Sequence, residues 1–158
     1  MNTIALFGHR EILNSTKIQE RLMRCLIKHK GFSKILIGCH GDFDNIALST
    51  CLNYKRDVDS NIEIDVVLTS LSFLNKNEFG FSKADYYNEK GCKTIFYDLE
   101  KTHYKNRIVF TNKKMVEDSD LIVCYVNFKS YSSGAKIAVN YAIKNKKPII
   151  NLFQDDKI

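Results

Sequence analysis

Six apolar runs punctuate the chain, at Thr3–Phe7, Lys34–Gly38, Ile62–Leu68, Lys93–Tyr97, Leu121–Val126 and Pro148–Phe153. Several are continuous rather than alternating, the pattern of strands covered on both faces in a parallel sheet. The stretches between them have helical spacing. Ser15–Lys30 sets Ile18, Leu22, Cys25 and Leu26 on one stripe, with Gly31 as a stop and with Thr16 and Gln19 at capping-box spacing. Asp44–Tyr54 carries Ile46, Ala47, Leu48, Cys51 and Leu52, and further helices are predicted over Tyr104–Asp118 and Ala135–Lys146. Thr69–Tyr87 is polar and holds Phe73, Phe79 and Phe81. It reads as a helix plus a long loop, either a lid over a site or a surface excursion packed by its own aromatics.

Strand and helix alternate throughout, which selects an α/β class with right-handed crossovers. The expected architecture is a Rossmann-like open, mainly parallel sheet of about six strands with helices on both faces. No linker, repeat or low-complexity segment divides the sequence, so residues 1–158 are expected to form one nucleotide-binding-type domain. No apolar run reaches the roughly 18–20 residues of a membrane span. The start, Met1 to Gly8, lacks a basic region and has only a short apolar segment, so no secretory leader is expected and the cytoplasm is the expected location.

Charge and cysteine content add little. The formal charge of +6 is spread along the sequence and favours anionic partners without naming one. The five cysteines are widely spaced with no C-x-x-C, which argues against a disulfide framework and against a zinc site; Cys39-His40 is too short a pair to hold a metal alone.

In open parallel sheets, ligands sit beyond the carboxyl ends of the strands where the winding reverses. Three loops there carry glycine: Gly8-His9-Arg10 after the first strand, Gly38-Cys39-His40-Gly41-Asp42-Phe43-Asp44 after the second, and Asn127 to Ala135 after the fifth, with Ser132, Ser133 and Gly134 leading into a helix. Glycine lets a phosphate approach backbone amides, helix starts offer free N–H groups, and Arg10 adds a forked cation. None of the three is a P-loop or a G-x-G-x-x-G fingerprint. Asp42 and Asp44 either cap the second helix or accept from ribose hydroxyls. His9 and His40 are either loop anchors or ligand contacts. On this reading Asp44 is the carboxylate that faces the sugar, and Gly41→Val is expected to abolish binding while leaving most of the fold.

With "FGHR", "GCHGDFDNIA", "TNKKMVEDSDLIVCYV" and "SSGAKIAVNYAIKNKKPIINL" in this order, the sequence resembles the SLOG (SMF/DprA–LOG) superfamily of Rossmann-like proteins, and within it the YpsA-like group of bacterial proteins. The resemblance implies a pocket for a nucleotide-derived molecule. Matched position by position, it points to Gly8, His9 and Arg10, to Gly38, Gly41, Phe43 and Asp44, to Asn112, and to Gly134 and Ala135. Members are similar to three functional kinds: phosphoribohydrolases, single-strand DNA carriers and sensors of nucleotide signals.

Departures from the pattern narrow the choice. Thr111 stands before Asn112 where the pattern has arginine, and Ser133 replaces the first glycine of the last motif. The glutamate that hydrolase members place after that motif is missing, since the chain runs Lys136-Ile137-Ala138-Val139-Asn140. Attack at an N-glycosidic carbon needs a carboxylate.

The leading expectation is therefore a protein that senses or sequesters a nucleotide or an ADP-ribose-type ligand, with no other cofactor and no assigned catalytic residue. The alternatives are an N-glycosidic hydrolase or transferase drawing on Asp42, Asp44 or Glu11, and, ranked last, a single-stranded nucleic-acid binder stacking bases on Tyr86, Tyr87 and Tyr131. A homodimer is the expected assembly by analogy with related folds, and no membrane partner is expected.

Overall fold

The computed structural model describes residues 2–97, 103, 106–130 and 133–153. Its sheet is built outward from β1 (Thr3–Gly8), whose alternate side chains enter two different cores. Ile4 and Leu6 join one apolar cluster and Ala5 and Phe7 the other, as a period-two strand covered on both faces requires. Around it lie β2 (Lys34–Ile37), β3 (Glu63–Val67), β4 (Lys93–Ile95), β5 (Leu121–Tyr125) and β6 (Ile149–Asn151). All pairings are parallel, and the order is β4-β3-β2-β1-β5-β6. Ala5 stands opposite Leu36 on one side and Ile122 on the other.

The helices are α1 (Ser15–Lys28), α2 (Asp42–Asp57), α3 (Lys83–Glu89), α4 (Arg107–Glu117) and α5 (Gly134–Lys144). Residues of α1, α2 and α3 (Leu22, Ile46, Tyr87) pack in the cluster with Ile4, whereas those of α4 and α5 (Met115, Val139) pack in the cluster with Phe7. The chain thus winds one way through β4, crosses back on the opposite face through α4, and finishes at β6. The reversal falls between β1 and β5, which is where such sheets open a crevice. Among the described residues, no helix is long and apolar enough to cross a membrane.

The predicted α/β class and strand set hold, with shorter edges: β4 and β6 have three residues each. Local chemistry differs from the expectation in two places. Asn14, rather than the Thr16–Gln19 pair, caps α1, accepting from the Lys17 amide at 3.3 Å. Thr69–Tyr87 resolves into a single 3-10 turn at Leu71–Leu74, a connecting stretch, and α3. Ser82 and Asp85 form a reciprocal capping box at the start of α3, and Lys76 pairs with Asp85 at 2.9 Å. The Phe73 ring packs near His40 and takes Lys83 over its face at 4.7 Å, so the segment is anchored against the second loop.

Candidate functional site

His9 follows directly on β1 and ties the first loop to the third. Its Nε2 accepts from the Asn127 amide at 2.8 Å, which places the ring proton on Nδ1, 3.3 Å from Ser133 Oγ. Ser133 Oγ also accepts from the Lys136 amide at 3.1 Å, capping α5. Burial and the Lys136 charge hold the His9 pKa below its usual value, consistent with a neutral acceptor ring. His9 therefore anchors a loop.

The second loop is held to the first just as tightly. Asp42 N donates to Arg10 O at 2.7 Å, Phe43 N to His9 O at 3.3 Å, and His40 N to Asp44 Oδ2 at 2.7 Å. The amides of His40, Asp42 and Phe43 around the start of α2 are therefore taken up by protein partners. Neither aspartate caps its own helix: α2 begins at Gly41 without a side-chain cap, and Asp42 reaches across to accept from Ile12 N at 2.9 Å.

The glycines here answer to protein packing. A Cβ on Gly8 would land in the Phe43 ring, one on Gly38 would sit 2.6 Å from Asp44 Oδ2, and one on Gly41 would sit 2.6 Å from the Arg10 Cα. Gly41 also has φ +89°, a region that side chains avoid. Gly41→Val therefore strikes the fold itself, contrary to the expectation from sequence. Phe43 is wholly buried and is a packing residue, not a ligand contact.

What remains open lies at the switch point. Gly38, His40 and Asp44 line a hollow there together with Gly8, Thr69, Thr111, Asn112 and Ala135. The hollow has about 40 Å³ of room in its depth, and with its open mouth encloses about 420 Å³. The depth admits a few water molecules, and the mouth opens to solvent. At its α5 edge, Gly134 faces Asn112 Nδ2 at 3.8 Å from a built Cβ, an open approach. In the first turn of α5, Lys136 N is taken by Ser133 Oγ and Ile137 N by Ser133 O, while Gly134 N and Ala135 N have no hydrogen-bond partner among the described residues.

Two polar groups stand out by their surroundings. Thr111 is 1% exposed, and its Oγ1 has no hydrogen-bond partner among the described residues. Asp44 has its pKa pushed up to about 7, chiefly by burial, against the opposing pull of the His40 amide and the Arg10 charge. His40 Nε2 lies 2.6 Å from Thr69 Oγ1, and burial with the Arg10 and Lys83 charges lowers its pKa. Arg10 is exposed, with no ion pair to any described residue.

No protein-family model matches the chain, and no curated protein matches it. Solved structures do. DNA processing protein A (DprA) from Streptococcus pneumoniae superposes with a TM-score of 0.64 at 13% identity, over 94% of this chain and 49% of that one. DNA processing protein A from Helicobacter pylori, studied for a unique single-stranded DNA binding mode, superposes with a TM-score of 0.66 at 20% identity, over 99% of this chain and 67% of that one. The fold is similar to that of part of DprA. The chain spans about half the length of the first of these proteins and two thirds of the second. At these identities the DprA likeness speaks for the fold, in agreement with the SMF/DprA–LOG resemblance.

On this DprA-like fold the sequence-based site residues separate into three groups. Gly8, Gly38, His40, Asp44, Asn112 and Ala135 line the hollow, with Gly134 beside Asn112, while Arg10 is exposed and packs its backbone against Gly41. His9, Gly41, Asp42, Phe43 and Ser133 hold the loops in place. Ser132 lies outside the described residues, as does Tyr131, and Tyr87 is buried rather than open for stacking. The sequence analysis missed Thr69 and passed over Thr111. Thr69 was legible, since it follows β3 as the other loops follow their strands. Thr111 was not, because only the packing of α4 against the sheet turns its hydroxyl into a buried orphan.

Proposed function

We propose that the chain binds a nucleotide or a nucleotide-derived molecule of the ADP-ribose type at the switch-point hollow, sensing or sequestering it. The observation that carries this reading is the convergence of donors and acceptors from three separate helices on one opening. These are the amides of Gly134 and Ala135 and the Thr111 hydroxyl, which have no hydrogen-bond partner among the described residues, with the Asn112 amide group and the Asp44 carboxyl. An anionic group fits the start of α5, where the helix dipole and open N–H groups favour negative charge. Hydroxyl-bearing parts fit the Asp44 side. The YpsA-like group of the same superfamily is the finer placement this reading supports.

A second reading follows from the H. pylori DprA structure, whose study concerns single-stranded DNA, and from the net charge of +6: a single-stranded nucleic-acid strand crossing the same rim.

Thermal-shift measurements with AMP, ADP-ribose and a short oligothymidylate at two salt concentrations test both. A mononucleotide-type ligand at 100 times its dissociation constant should stabilise the protein by about 2.7 kcal/mol, with little salt dependence. Stabilisation by the oligomer alone, collapsing as salt rises, would support the second reading. No shift from AMP or ADP-ribose overturns the first.

A further inference from the structure

We propose that Asp44 reads a free sugar hydroxyl through Oδ1, so that the site selects nucleotides with an intact ribose 2′,3′-diol and rejects the interior of a DNA strand. This inference rests on the nucleotide-binding reading above and specifies its ligand.

The geometry of the carboxyl group points this way. Oδ2 is fixed by the His40 amide at 2.7 Å. Gly38 backs it so closely that a Cβ there would lie 2.6 Å from Oδ2. The carboxyl plane is thereby held in one orientation. Oδ1 accepts from no described residue, and Asp44 lines the hollow.

An ionised carboxylate only accepts hydrogen bonds and repels phosphate, so its counterpart in a ligand is a hydroxyl or an amine. In a nucleotide with its phosphate at the start of α5, the sugar supplies that hydroxyl. Inside a DNA strand the 2′ position carries no oxygen and the 3′ oxygen is esterified, so nothing there can donate to Oδ1.

Protonation sets a second signature. Arg10 faces Asp44 from the loop after β1, Cys39 and His40 from its own loop, and Tyr87 from α3. Burial raises Cys39 and Tyr87 further above neutrality. Burial, Arg10 and Lys83 push His40 downward. Asp44, with its pKa pushed up to about 7, changes charge between pH 6 and pH 8. A hydroxyl donating to the carboxylate favours its ionised form, so discrimination strengthens as pH rises.

The test is calorimetric titration of the full chain with AMP and with 2′,3′-dideoxyadenosine monophosphate at pH 6 and pH 8. The phosphate titrates in both probes and cancels in their affinity ratio. AMP should bind about tenfold more tightly or better at pH 8, with the ratio falling several-fold at pH 6. Asp44→Ala should bring the ratio close to one while dideoxy affinity stays within about twofold. Asp44→Asn retains an acceptor for the His40 amide, so it serves where the alanine variant fails to fold, and its ratio should no longer depend on pH. Equal affinity for both probes at pH 8, or an unchanged ratio in both variants, overturns the inference while leaving nucleotide binding intact. Absence of binding by AMP, the dideoxy probe and ADP-ribose overturns the underlying reading, and this inference with it.

Discussion

The imidazole Nε2 of His9 accepts a hydrogen bond from the backbone amide of Asn127 at 2.8 Å, across 118 residues of sequence. That bond, together with Nδ1 beside Ser133 Oγ, sutures the end of β1 to the loop after β5, the two strands that flank the reversal. His9→Ala strips the partner from a partly buried amide and should lower stability by about 1–3 kcal/mol, read as a lower denaturant midpoint. Its pH behaviour is distinctive. Because the folded pKa lies below the unfolded value, the contribution is present above about pH 6.5 and is lost as pH falls through the folded value. The variant should therefore differ most from the parent above pH 6.5 and less in acid, measured as paired Tm profiles.

Gly8 and Phe43 form a fitted pair in which the ring fills the space a Cβ would need. Gly8→Ala should destabilise by at least about 1–3 kcal/mol through overpacking. Phe43→Ala alone should cost about 3–5 kcal/mol by leaving a cavity. In the double variant the alanine methyl enters space the ring has vacated, so the two losses should sum to clearly more than the measured total. Strict additivity in denaturation would show that the two do not share this space.

Thr111 is expected to be better for function than for stability. A buried hydroxyl without a partner carries a desolvation cost, so Thr111→Val should leave stability unchanged or raise it by about 1 kcal/mol. The same change should weaken AMP binding several-fold. A variant that is less stable yet binds normally would mean that the hydroxyl serves the fold instead.

Asp44 gives the opposite pH sign to His9. Its folded pKa of about 7 lies above the unfolded carboxylate value, so its favourable contribution is full below about pH 4 and is lost as pH rises through 7. Asp44→Asn removes that loss. The Tm difference, variant minus parent, should therefore grow between pH 5 and pH 8, by about 2–4 °C for each kcal/mol recovered. A difference independent of pH would contradict the raised pKa.

Much of the architecture was legible in the pattern. Continuous apolar runs such as Leu121–Val126 can be strands only if both faces are covered, and their alternation with helical stripes leaves little besides a doubly wound sheet. The roles of the glycine-bearing loops were less so. Gly38 and Gly41 have the look of residues cleared for a phosphate, yet Asp44 and the Arg10 backbone take up the cleared space. Ser82-Lys83-Ala84-Asp85 did carry a readable capping-box signature, and it starts α3 as written.

Sequence alone determined the class of sheet, the identity of its strands and the three loops that meet at its reversal, because periodicity and turn chemistry are local properties. Tertiary structure decided which amides in those loops stay free, which carboxylate is half-protonated near neutrality and which hydroxyl is left without a partner. Those outcomes depend on contacts between residues as distant as His9 and Asn127, and on burial that no neighbouring residue in the chain supplies.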